Sequence, residues 1–313
     1  MGNFKVLTVI SVLLFMVSCG HVTPTQPILN GNLKAKTNEP YPSIIIDAHS
    51  HFSNEGEPSE SQPTEEMDKM YREANVVGAV IHMPRDPEKN KRVKINRGRA
   101  RFNMAICAAV VPGETVKRVE QGLKNGDYQC LKVYLGYIPR YAADPFYLKF
   151  YALAEKYTVP VVFHTGDTYD KMAKVKYAEP LQIDEIAVKF PKVNFVIAHM
   201  GNPWIQSAAE VVYKNDNVYV DISALMLGDV SKATAESVEE LAIKPIRWFW
   251  LYVENPKKMM FGSDWPLMDV KPYVEVVMRA IPREHWDDVF YKNAATLFKL
   301  EVPAPQDSQG NTK

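Results

Sequence analysis

Two histidines spaced one strand repeat apart, His49 and His51, close the stretch Asp47-Ala48-His49-Ser50-His51. Imidazoles at that spacing can reach one small cation between them, and imidazole suits zinc and other borderline divalent metals. The apolar run Ile44-Ile45-Ile46 before them reads as a short buried strand. Strand side chains alternate faces, so Asp47, His49 and His51 are expected to point the same way. Asp47 sits deeper and is expected to hydrogen-bond a ligand rather than bind the ion itself. Other apolar runs carry reactive residues at or just after their ends. These are Lys132 and Tyr134, His164-Thr165-Gly166, His199-Met200-Gly201 and Gly262-Ser263-Asp264-Trp265-Pro266. Two ordinary strand-end histidines are the bland alternative, but four of the chain's 7 histidines falling at such positions speaks against it.

The elements that must position these groups alternate. Strand candidates begin near Ile44, Val77, Met104, Cys130, Pro160, Asn194, Val218 and Lys258, roughly 24–40 residues apart. That spacing suits strand–helix–strand units of about 30 residues. The runs are β-branched and nearly continuous, as parallel strands buried on both faces are. Helical patterns fill the gaps: Thr64 to Ala74, Thr115 to Leu123, Asp144-Pro145 onward, Ile183 to Phe190, Pro203 to Tyr213, Val270 to Ala280 and Glu284 to Leu300. Lys232–Tyr252, with Trp248, Phe249 and Trp250, reads as helix and packing rather than a membrane patch. The class is α/β, a TIM-type (β/α)8 barrel in a single domain spanning 43–301. In such barrels the active site lies at the C-terminal ends of the strands, where every stretch named above would sit.

The set together resembles the amidohydrolase superfamily, in the branch related to aminocarboxymuconate-semialdehyde decarboxylase. The matching elements are His49-Ser50-His51, His164-Thr165-Gly166, His199-Met200-Gly201, Asp264 and the closing Asn293-Ala294-Ala295-Thr296-Leu297-Phe298. The resemblance covers about Ile44 to Leu300 and implies one divalent metal, with zinc expected, held by His49, His51, His164 and Asp264. It also implies catalytic work by Asp264, His199 and Lys132. Asp264 would orient a metal-activated water and take its proton, although a Ser-Asp-Trp-Pro turn cap would also explain it. His199 is expected as the general acid/base, with metal ligation or a satisfied core histidine left open. Lys132 could bind a substrate carboxylate or a developing oxyanion, be carboxylated to bridge two metals, or simply extend from a strand end.

The function implied is an exported metal-dependent hydrolase acting on an ester, lactone or amide carbonyl of a small, carboxylate-bearing substrate. A non-oxidative decarboxylase of the same branch is the alternative, and a non-catalytic surface-binding lipoprotein is the alternative from another class. Tyr134, Arg85 and Trp265 are candidate substrate contacts, Arg85 because its fork can clamp a carboxylate, although an exposed loop arginine explains Arg85 equally well and Trp265 could merely pack. His82 ends the second strand beside Arg85, and Trp204 follows the sixth. The basic run Lys89 to Arg101 reads as a solvated face.

The chain's start places it. Lys5, the apolar run Val6–Val17 and Ser18-Cys19-Gly20 read as a signal over 1–18 of lipoprotein type, with Cys19 lipidated. Residues 19–42, rich in Pro, Thr, Asn and Gly, read as a flexible tether, and 302–313 as a disordered tail. The expectation is a bacterial lipoprotein, periplasmic or at the cell surface, touching membrane through that anchor only. A formal net charge of zero gives no case for a nucleic-acid partner. Apolar and charged fractions of 46% and 24% suit a soluble barrel that could form a homo-oligomer. Cys107 and Cys130 both sit in apolar runs and are expected as buried small residues rather than a disulfide.

Overall fold

Each apolar run becomes a parallel strand. The computed structural model describes residues 41–52, 65–93 and 100–302. The expected signal, most of the tether and nearly all of the tail lie outside them. The strands are β1 (Ile45–Ser50), β2 (Val76–His82), β3 (Asn103–Val110), β4 (Cys130–Tyr134), β5 (Val161–His164), β6 (Phe195–Ile197), β7 (Val218–Asp221) and β8 (Met259–Met260). They pair in sequence order from β1 to β8. The ring closes through hydrogen bonds from Ala48 N to Phe261 O (2.9 Å), Asp264 N to His49 O (2.7 Å) and His51 N to Trp265 O (2.9 Å).

The barrel divides its apolar residues into two sets, as strands covered on both faces must. Ile46, Ala48, Val80, Ala105, Val162, Val196 and Met260 pack together in the lumen. Ile45, Ile81, Ile106, Leu131, Phe163 and Phe261 pack outward against the helices.

The helices are α1 (Glu65–Glu73), α2 (Pro87–Arg92), α3 (Val116–Asn125), α4 (Pro145–Tyr157), α5 (Ile183–Lys189), α6 (Ile205–Lys214), α7 (Ala235–Val238), α8 (Lys244–Val253), α9 (Val270–Ala280) and α10 (Asn293–Phe298). Thr115 and Asp144, where two of the helical patterns begin, cap α3 and α4 through their side chains. Helix α2 is an addition: Asp86 caps it, Pro87 opens it, and its later part, from Lys89 on, enters the stretch read as a basic solvated run. The Lys232–Tyr252 pattern is interrupted, because a π-helical turn at Glu239–Ile243 joins α7 to α8. Helix α10 sends Ala294, Leu297 and Phe298 into the lumen set and so closes the barrel end opposite the site. Among the described residues no helix is long and apolar enough to cross a membrane.

One expectation is overturned. Cys107 and Cys130 form a disulfide between β3 and β4, both fully buried. The two are direct register partners across those strands. Register, which composition does not reveal, brings them together. Closing a loop over a separation of 23 residues should stabilise the fold by about 3 kcal/mol in a chain-entropy estimate. The Cys107→Ala/Cys130→Ala double variant is therefore expected to lose roughly that much in denaturant unfolding. A loss below about 1 kcal/mol would mean that the bond does little for stability.

Candidate metal centre

The strand ends bring His49, His51, Lys132, His164, His199 and Asp264 to one face of the barrel. The alternation expected for β1 does not survive to that face. Ile46 and Ala48 point into the lumen, so Asp47 points outward. It accepts hydrogen bonds from Tyr71 Oη of α1 (2.9 Å) and from Ser263 N (2.8 Å) and Oγ. A register shift between Asp47 and Ser50 then turns His49 into the site. Asp47 supports the centre all the same, by fixing Ser263 beside Asp264 and by accepting from His49 N at 3.2 Å. Burial raises its carboxyl to about 6 against the pull of those donors, led by Ser263.

Hydrogen-bond partners determine which ring nitrogens are free. His49 Nδ1 donates to Asp221 Oδ2 at 2.9 Å, so Nε2 carries the lone pair, which accepts from Lys132 Nζ at 3.1 Å. His164 Nε2 donates to the Asp167 carbonyl at 2.9 Å, which leaves Nδ1. Ser223 Oγ donates to Asp221 Oδ1 and accepts from His199 Nδ1 at 2.8 Å, which leaves His199 Nε2. Burial, the leading cause for each, lowers the basicity of all three rings. Neutral imidazoles with oriented lone pairs are what a metal requires.

The ligand atoms gather in two groups. His49 Nε2, His51 Nε2 and Asp264 Oδ1 form the first, with Asp264 Oδ1 3.2 Å from His51 and 3.6 Å from His49. Nitrogens 2.0–2.1 Å from one tetrahedral ion lie about 3.3 Å apart, so these spacings match the edges of a coordination shell. Asp264 Oδ1 is buried and has no hydrogen-bond partner among the described residues. Burial would raise its carboxyl, but the neighbouring His51, then His199 and His49, hold it far below the usual carboxylate range. The residues present therefore fit a divalent cation. His164 stands apart from this group: its Nδ1 faces His199 Nε2 at 3.2 Å. Two lone pairs meeting at that distance also call for a proton or cation between them. The second group of possible ligands is His49, His199 and Asp221, which the hydrogen bonds above already link.

Cations and aromatic rings complete the face. Lys132, on the lumen side of β4, is buried with Nζ 3.1 Å from His49 Nε2. Burial lowers its ammonium to about 8 although Asp221 and Asp264 favour the charge. Tyr134 Oη donates to the Met83 carbonyl at 2.5 Å, and its ring lies 5.6 Å from Lys132 Nζ. Arg85 stacks on Tyr137 at 4.0 Å, and Tyr137 packs on His164 at 4.6 Å. His82 is buried 4.1 Å from the His49 ring, with neither ring nitrogen hydrogen-bonded among the described residues. Trp265 packs in the helix-side core rather than standing free in a pocket, and its carbonyl holds His51 N. Gly262 lets β8 approach: a Cβ there would meet His49 Cβ at 2.9 Å. Gly166, at φ +86, lies where a Cβ would strike Asn202 O at 2.1 Å.

The sequence reading passed over Asp221 and Ser223. Asp221 had the same signal as its neighbours, a polar residue ending the apolar run Val218-Tyr219-Val220, but carried no motif. An Asp221→Asn variant should stay folded by circular dichroism. Its affinity for zinc, measured by chelator competition, should fall 10–100-fold, the usual cost of losing a ligand's supporting carboxylate. Unchanged affinity would remove Asp221 from the centre.

The amidohydrolase family model matches residues 46–300. No curated protein sequence matches the chain. Solved structures share the fold at low identity. A putative 2-pyrone-4,6-dicarboxylic acid hydrolase from Pseudomonas putida is 14% identical, with a TM-score of 0.61 over 83% of this chain and 99% of that one. The 5-carboxyvanillate decarboxylase of Sphingomonas paucimobilis is 14% identical, with a TM-score of 0.60 over 83% and 100%. A probable 2-pyrone-4,6-dicarboxylic acid hydrolase from Acinetobacter baumannii, with citric acid bound, is 17% identical, with a TM-score of 0.57 over 82% and 99%. With the barrel, the strand-end ligands and a family match along nearly the whole described chain, this protein is an enzyme of the amidohydrolase family.

Proposed function

We propose that the protein is an exported metal-dependent hydrolase that opens an ester, lactone or amide of a small carboxylate-bearing substrate. The observation that carries this reading is the orphaned Asp264 Oδ1, buried between two imidazole nitrogens and matched to the edge lengths of a metal shell. His49, His51 and Asp264 would hold the ion, zinc by preference, with His164 as the further ligand. When bound, the ion supplies Lewis acidity and lowers the pKa of a water to roughly 7.

The chain's own groups do the rest. Asp264 takes the proton of the attacking water as its oxygen bonds to the carbonyl carbon, and returns it to the departing alkoxide or amine. His199, its Nδ1–H held by Ser223, offers Nε2 to orient that water. Lys132 Nζ meets the negative charge that develops on the carbonyl oxygen. Arg85, held on Tyr137 beside the site, suits a substrate carboxylate. The bound citric acid and the dicarboxylic acid named for the Acinetobacter structure favour an acidic substrate here as well. The decarboxylase likeness keeps a second reading, in which the same cations hold an aromatic acid that loses carbon dioxide.

Export has its own support. A Cys107–Cys130 disulfide suits an oxidising compartment such as the periplasm. Anchoring through Cys19 follows from the signal-like start.

Purified protein reconstituted with zinc should hold about one ion per chain by elemental analysis. His49→Ala and Asp264→Ala should each reduce turnover by at least 10³-fold while the fold persists; no metal after reconstitution would end the reading. Two ions per chain would instead assign Lys132 as a carboxylated bridge. Lactones, esters and aromatic acids, screened for acid release and for carbon dioxide, separate hydrolysis from decarboxylation. For the anchor, Cys19→Ser should move the protein from the membrane fraction to the soluble one, and retention would argue against lipidation.

A further inference from the structure

Helix α8 carries a stripe that the barrel does not use. Trp248, Leu251 and Tyr252 lie at helical spacing and are 38%, 72% and 42% exposed. Tyr213, from the last turn of α6, is 62% exposed and packs edge-on against Tyr252 at 5.8 Å. Trp248 stacks on Tyr252 at 5.1 Å, and Tyr252 Oη is fixed by Glu210. The inner face of the same helix is occupied by Ile246, Phe249 and Val253, so the stripe is not a misplaced core. Four large apolar side chains thus form one ordered patch facing solvent, where single scattered residues would need no explanation.

The patch has a definite place in the fold. Helix α8 ends at Val253 and β8 begins at Met259, so the last turns of α8 lie at the N-terminal ends of the strands. The end of α6, just before β7, lies there too. The metal centre is at the opposite end. Tyr41, where the described chain begins, is also at the strand N-terminal end: its hydroxyl reaches Ala74 O, and Asn75 Nδ2 reaches Pro42 O, both just ahead of β2. The chain that leads back to Cys19 therefore leaves from the end that bears the patch. Residues 20–40 can span no more than roughly 75 Å even when fully extended.

We propose that Tyr213, Trp248, Leu251 and Tyr252 form a second membrane contact that seats the strand N-terminal end of the barrel on the bilayer interface. The amphipathic rings of Trp and Tyr favour the headgroup level, with the apolar body inward and the polar tip wet. The exposed charges at this same end are mixed, Lys189, Lys192 and Lys257 beside Glu210 and Glu254, so the rings rather than charge carry the contact. The metal centre would then face away from the membrane toward dissolved substrate. This inference rests on the anchor reading for its orientation, and it adds to that anchor a contact made by the barrel itself.

The test uses the full processed protein, extracted from membranes and reconstituted in vesicles of phosphatidylcholine and phosphatidylglycerol. Tryptophan emission is read with and without brominated lipid, alongside the mass of the modified N-terminus. Brominated lipid should quench emission in the wild type, and Trp248→Phe should remove at least half of that quenching. The Leu251→Ser/Tyr252→Ser variant, changed only at exposed positions, should lower the quenching at Trp248 while turnover stays within twofold. A lipidated protein that floats with vesicles yet shows no quenching at Trp248 overturns the contact and leaves the anchor standing. Quenching at Trp248 in a protein without lipid at Cys19 does the reverse. A dimer by sedimentation that Leu251→Ser/Tyr252→Ser dissociates assigns the patch to a second copy and overturns the proposal.

Discussion

A single buried carboxylate organises the reactive face. Asp221 Oδ2 accepts from His49 Nδ1, while Oδ1 takes the hydroxyl of Ser223 and the backbone N–H groups of His199 (3.1 Å) and Ser223 (3.2 Å). One side chain at the end of β7 thereby sets two imidazole tautomers and one backbone turn. A buried carboxylate without such donors would be costly; with four it becomes a rigid hub. Its charge also favours the buried ammonium of Lys132. The site is therefore a connected network rather than a set of independent ligands.

That hub also holds strain. His199 and Asp264 adopt φ values of +59 and +63, a region that costs a non-glycine residue about 1–3 kcal/mol. Each is pinned at its own amide, His199 by Asp221 and Asp264 by the His49 carbonyl. The left-handed turns aim the side chains across the barrel mouth instead of along it. Gly262 and Gly166 supply the close approaches around them. Side chains held in this way need little rearrangement to act together.

Most of the architecture was legible because buried parallel strands have a simple signature. Every strand start lies within one residue of the apolar run that suggested it, from Ile45 to Met259. The strand-end histidines and Asp264 were legible for the same reason, as polar residues placed where an apolar run stops. What failed was anything set by register or by backbone irregularity. The turn of β1 between Asp47 and Ser50 breaks simple alternation, so Asp47 faces Tyr71 and not the histidines. The cysteine pair depends on how β3 meets β4. Asp221 went unweighed because it belongs to no motif, although its position followed the rule that found the others. His164 does reach the same mouth, where the Asp167 carbonyl fixes its Nε2 and leaves Nδ1 facing His199.

The disulfide has a further meaning in the order of assembly. Both sulfurs lie in the lumen, and neither cysteine is exposed in the finished barrel. No oxidant or exchange partner can reach them there, since thiol–disulfide exchange needs direct access to sulfur. Oxidation is expected while β3 and β4 are still open to solvent, or in states where the barrel opens. It is thus tied to folding and opening rather than to the finished barrel.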